Sequence, residues 1–168
     1  LNMIHSKSIS HAISALALLT SVTLSANAMA APAAVPPEPR LSLAQAQQIV
    51  RAAQAKAEQE GWPGVISVAD SSGLPILTLR MDHAAVPAGV ELAPAKARTA
   101  ALFRRPSADL ENAVNGARPA LATAHGFVLL RGGLPIKMGE QIVGAIGVSA
   151  DTPDHDEAIA AAGASALK

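Results

Sequence analysis

Apolar positions recur at steps of three and four through Leu43, Ala46, Val50, Ala53 and Ala57, behind Ser42-Leu43-Ala44-Gln45, which has the form of a capping box. The spacing predicts a helix from Ser42 to about Glu60, ended by Gly61 and Pro63. Next come an apolar run from Val65 to Ala69, the turn residues Asp70-Ser71-Ser72-Gly73, and a second run from Leu74 to Met81, the pattern of a hairpin. Pro75 has no N–H to give to a ladder and belongs at the start of its strand or at an edge. From Leu92 to Phe103 the pattern returns to helix, with Pro94 placed in the first turn; Pro106 breaks it and Ser107 can cap a short helix to about Asn115. Gly126 to Leu130 reads as a strand, Gly132-Gly133 as a turn, and Leu134–Met138 with Gln141–Ser149 as a hairpin around Gly139. A last helix, capped by Thr152 or Asp151, runs from about Pro153 to Leu167. Neighbouring hairpins predict an α+β fold, a five-stranded antiparallel sheet covered by helices, and not a doubly wound nucleotide fold.

The first thirty residues follow a different pattern. Lys7 is the one charge, the stretch from Ala12 to Leu24 is apolar except for Ser14, Thr20, Ser21 and Thr23, and Ala26-Asn27-Ala28-Met29-Ala30 supplies small residues for cleavage. The apolar stretch is short of the roughly 20 residues that cross a bilayer, so residues 1–30 read as a secretory signal peptide cleaved after Ala30, or alternatively after Ala28. Residues 31–40 (APAAVPPEPR) form a proline-rich tether, and residues 41–168 the folded domain. The expected location is periplasmic or extracellular, with no membrane association of the mature form.

Composition narrows the chemistry. The chain of 168 residues carries 13 basic and 13 acidic side chains. Such balance argues against nucleic acid or an acidic membrane surface as partner. Without cysteine there are no disulfides, thiolate nucleophiles or cysteine metal sites. With aromatics at 2% the core must be aliphatic.

No catalytic signature emerges from the residues themselves. G-x-S-x-G and H-E-x-x-H are both missing. Gly132-Gly133 joins two strands and reads as a turn, not a phosphate cradle; Gly144 and Gly147, inside a strand, admit either a flat ligand or a closely packed helix. Asp151, Asp154, His155, Asp156 and Glu157 form an oxygen-rich cluster that suits a metal ion or simply the dipole of the helix they open. The histidines after the leader, His83, His125 and His155, lie far apart in sequence.

Several segments, in order, carry a resemblance: Val65-Ile66-Ser67-Val68-Ala69-Asp70-Ser71-Ser72-Gly73, Arg80-Met81-Asp82, Lys96-Ala97-Arg98-Thr99-Ala100, Gly132-Gly133-Leu134-Pro135-Ile136 and Ile146-Gly147-Val148-Ser149. Over about Leu41 to Lys168 the chain resembles the GlcG/HbpS-type haem-binding family, whose fold is shared with the C-terminal domain of PduO. The resemblance implies a profilin-like sheet flanked by helices and assembly into homo-oligomers. It also implies an exported haem- or tetrapyrrole-binding accessory protein in haem or redox sensing, with an exported sensor as partner and a corrinoid as the alternative ligand. Where the family continues Arg-Met-Asp with Gly-Ala, this chain has His83-Ala84, and where Gly-Val-Ser is often followed by two glycines it has Ala150-Asp151.

Transferred residue by residue, the pocket comprises Arg80, Asp82 and His83 at a strand end, with Lys96 and Thr99 on the following helix. Arg80 or Lys96 can pair with a propionate, His83 can ligate iron, and Thr99 can donate a hydrogen bond. Two other readings stand beside this one: a haem-degrading or small-molecule-transforming enzyme using Lys96 or Asp82 as acid or base, and an oligomeric interaction module without a ligand of its own.

Overall fold

The computed structural model describes residues 40–167; the leader and nearly all of the tether lie outside them. Helix α1 (Leu43–Glu60) starts on the expected capping box, with Ser42 Oγ accepting the Gln45 N–H and the Gln45 side chain accepting the Ser42 N–H. It ends at Gly61, whose φ of 72° is the left-handed conformation that glycine adopts without strain. Strands β1 (Val65–Asp70) and β2 (Pro75–Arg80) form the hairpin, its turn held by the Ser72 and Leu74 N–H groups donating to Asp70 Oδ1. Helices α2 (Gly89–Phe103) and α3 (Ser107–Asn115) follow, then a 3-10 turn (Pro119–Thr123), the hairpin β3 (Gly133–Met138) and β4 (Gln141–Ser149), and helix α4 (Pro153–Ala164). Thr152 caps α4 by accepting the His155 N–H.

The sheet has four strands in the order β2-β1-β4-β3, all antiparallel, not the five expected. Residues 126–130 do not pair into it. Two of their polar backbone groups find side-chain partners instead: the Val128 N–H donates to Thr99 Oγ1 (3.1 Å), and the Leu130 carbonyl accepts from Ser107 Oγ (2.6 Å). Those two groups have no need of a ladder partner. The second of these bonds also removes Ser107 from its expected role as a helix cap, because its hydroxyl accepts the Gly133 N–H as well (2.8 Å).

Alternation along β4 divides the molecule into layers. Ile146 and Val148 face α1 and α4 in an aliphatic core with Ile49, Ile66, Val68 and Ile159. Gly147 faces the other way, toward α2, where a Cβ would strike the Ala93 carbonyl and the Ala97 nitrogen. Gly147 therefore serves close helix packing, and its surface is not open to a flat ligand. Helix α2 begins three residues earlier than expected, at a buried Gly89 packed on Val65, which leaves Pro94 in the second turn instead of the first. Pro75 opens the edge strand β2 as anticipated, and Pro135 lies in the opposite edge strand β3. Among the described residues no helix is long and apolar enough to cross a membrane.

Candidate functional site

The loop after β2 carries Asp82 and His83, both exposed, and His83 has a φ of 62°. That left-handed value costs a side chain with a Cβ roughly 1–2 kcal/mol, a cost that glycine would not incur. Asp82 and His83 line a shallow cavity of about 340 Å³ between the end of α1 and this loop, together with Gln54, Glu58, Pro63 and Met81. The carboxylates of Glu58 and Asp82 give its wall an acidic character. Arg80 is exposed at the end of β2 and is not part of that wall.

Lys96 and Thr99 sit elsewhere, one turn apart on α2 and buried. Lys96 is 3% exposed; its Nζ donates to Asp156 Oδ2 (2.6 Å) and to the Val148 carbonyl (3.0 Å). The other carboxylate oxygen of Asp156 accepts the Ala150 N–H (2.6 Å). Burial pushes the Asp156 carboxyl above its ordinary value of 3.8, against the opposing pull of the Lys96 and Ala150 hydrogen bonds. Gly132 closes over this pair: with φ at 110°, its Cα lies where a Cβ would come within 2.7 Å of Asp156 Cβ. Both functions of the Thr99 hydroxyl are taken, since it donates to the Ala95 carbonyl (2.9 Å) and accepts the Val128 N–H. Lys96 and Asp156 also line a smaller cavity of about 180 Å³ with Arg131, Glu111 and Asp151. Of the five residues singled out from the sequence, only Asp82 and His83 share a cavity.

The oxygen-rich run at the start of α4 is divided among different partners. Asp156 holds Lys96, Glu157 and Asp154 meet Arg131, and Asp151 Oδ1 lies 2.8 Å from His155 Nδ1. The His155 ring is stacked on Trp62 with centroids 3.6 Å apart. Among the described residues no three His, Asp or Glu side chains are arranged to hold a metal ion. His125 is exposed just beyond the 3-10 turn, away from these groups in sequence.

Sequence reasoning missed two features. Asp156 was legible as an acid but not as the partner of Lys96, since 60 positions separate them. A cavity of about 690 Å³ opens where Arg104 and Arg105 at the end of α2 approach Lys137 of β3 and the C-terminal end of α4. No local pattern joins those three cations, though the Arg104-Arg105 doublet was a visible signal of charge at a helix end.

A family model described as haem-degrading protein HbpS-like matches residues 41–165. GlcG of Escherichia coli K12 is 41% identical over 109 residues, which cover 65% of this chain and 81% of GlcG. The crystal structure of HbpS covers 83% of this chain and 98% of its own at 34% identity and a TM-score of 0.75. PduOC in complex with haem covers 77% of this chain and 96% of its own at 28% identity and a TM-score of 0.71. The corrinoid adenosyltransferase PduO of Citrobacter freundii is 33% identical over 129 residues, but these make up only 38% of that protein. The match along 41–165, the identity to GlcG and the shared fold place this chain in the HbpS-like family.

Proposed function

We propose that this chain is an exported tetrapyrrole-binding protein that handles haem, acting as a binding and accessory component and not as a catalyst. The observation that carries the reading is its likeness to PduOC in a haem complex, over nearly all of that chain's length. The site chemistry supports binding over acid–base catalysis: the buried Lys96 Nζ is already engaged by Asp156 Oδ2 and the Val148 carbonyl. Haem, when bound, supplies redox-active iron; the protein's part is to hold and shield the ring.

Of the three histidines after the leader, His83 is the one we propose as an iron contact. Its imidazole is exposed and lines a cavity, whereas Asp151 and Trp62 hold the His155 ring. A corrinoid is the alternative ligand, though the small share of PduO that this chain spans does not carry the adenosyltransferase activity with it. Export rests on the leader, and homo-oligomer formation and an exported sensor partner rest on the family resemblance. Hemin titrated into the protein freed of residues 1–30 is expected to give a saturable Soret shift, altered in His83→Ala. Absence of saturation in the wild type rejects haem binding; saturation by hydroxocobalamin alone assigns the corrinoid. An unchanged spectrum in His83→Ala moves the iron contact to another side chain.

A further inference from the structure

The groove of about 690 Å³ lies at β3, whereas His83 follows β2, so the two places are at opposite edges of the sheet. Its walls are aliphatic and half-buried, among them Leu134 of β3, Ile142 of β4 and Leu167 beyond α4. Three exposed cations line it as well: Arg104, Arg105 and Lys137. No acidic side chain lines it, and none of the three cations is ion-paired among the described residues. Arg104 ends α2 in the left-handed conformation (φ 55°), where a Cβ carries a cost and glycine or asparagine is the ordinary choice. Residues held in such conformations concentrate at ligand sites. The groove's volume falls within the roughly 300–1,000 Å³ range of small-molecule sites.

Size, apolar walls and unpaired positive charge together select a small amphiphile with an anionic head. The number of cations narrows the head group. A carboxylate brings a single charge and leaves two of the three cations unmatched; a phosphate monoester brings a charge of about −2 and three terminal oxygens, which suits two guanidinium forks and an ammonium. The last turn of α4 also fronts the groove, and the negative end of its dipole keeps the head on the α2–β3 side, with the tail along Ile142 and Leu167. We infer that this groove binds a single-chain alkyl or acyl phosphate monoester as a dissolved monomer, Arg104, Arg105 and Lys137 holding the phosphate and the aliphatic walls the chain. The site is separate from the one proposed for haem and stands whether or not hemin binds.

Dodecyl phosphate, kept below the concentration at which it forms micelles, is the probe, titrated into the protein in a calorimeter. Wild type and His83→Ala are expected to bind one equivalent with affinities within about threefold of each other, more weakly as salt rises. Hexyl phosphate is expected to bind at least tenfold more weakly, because fewer methylenes are buried. Arg104→Glu/Lys137→Glu should likewise lose at least tenfold with an unchanged far-UV circular dichroism spectrum, and Lys137→Arg should bind like the wild type. If charge reversal unfolds the chain, the milder Arg104→Gln/Lys137→Gln carries the test, with a loss of at least threefold. Undiminished binding by the folded charge variants overturns the groove, as does equally tight binding of dodecyltrimethylammonium. Inorganic phosphate binding as tightly as dodecyl phosphate overturns it too, leaving only a surface anion patch. Binding to phosphatidate vesicles without binding of the monomer overturns it in favour of a membrane surface. Charge reversal that changes the oligomeric state in light scattering but not the affinity assigns the groove to a contact between copies of the chain and overturns it as well.

Discussion

At the scale of single residues, His83 combines a chemical opportunity with a backbone cost. Its φ of 62° lies where glycine is at ease and a Cβ is not. A left-handed penalty of roughly 1–2 kcal/mol, set against the roughly 0.5–1 kcal/mol that glycine's extra unfolded-state freedom costs, leaves a small margin in favour of glycine. His83→Gly is therefore expected to raise the unfolding free energy by about 0.5–1 kcal/mol in urea denaturation, while His83→Ala, which keeps the Cβ, gives no such gain. Equal behaviour of the two variants would show that the loop relaxes its strain at no cost. Departure from a family glycine was visible in the sequence; the conformation that gives it meaning was not, because φ at one loop position depends on how β2 and α2 are placed around it. The same limit applies to Lys96, whose residue type suggested an anion site and whose surroundings supply the anion from within the chain.

At the scale of elements, helices α1 and α4 were the most legible, since both carry local signals: a capping box at Ser42, glycine at position 61, Thr152 ahead of Pro153. Both hairpins were legible from turn residues between apolar runs. Segment 126–130 was misread because Phe127, Val128, Leu129 and Leu130 have strand composition, while pairing depends on whether a neighbouring edge is free. Thr99 and Ser107 meet one of its backbone groups each, the Val128 N–H and the Leu130 carbonyl. Thr99→Val tests that account: losing the acceptor for the Val128 N–H should cost about 1 kcal/mol. Amide exchange at Val128 should quicken, with Ile146 in the central strand β4 unchanged. Uniform acceleration at both positions would instead mean that Thr99 supports the whole sheet. Gly147 teaches a related lesson, since the sequence left ligand and helix as alternatives and only the approach of Ala93 and Ala97 decides for the helix.

At the scale of the whole molecule, the Lys96–Asp156 pair joins the two helical layers. Helix α2 covers one face of the sheet and α4 the other, and the pair meets at the end of β4, where Lys96 also bonds the Val148 carbonyl. An equal count of 13 acidic and 13 basic groups says nothing of such a contact, which concentrates one charge of each sign in the interior. Burial raises the Asp156 carboxyl above 3.8, so the folded protein binds that proton more tightly than the unfolded chain does. Its linkage term follows from that sign: the contribution to stability is fully present below 3.8 and is lost as the pH rises through the higher folded value. Other carboxylates titrate in the same window, but comparison with Asp156→Asn cancels those that the variant shares. The unfolding free energy of the wild type minus that of Asp156→Asn should accordingly increase as the pH is lowered from neutrality toward 3.8, then level off. Urea denaturation of both proteins across that range measures the difference. A difference that shrinks on acidification would mean that the hydrogen bonds from Lys96 and Ala150 outweigh burial, making the pair a clamp that acid opens.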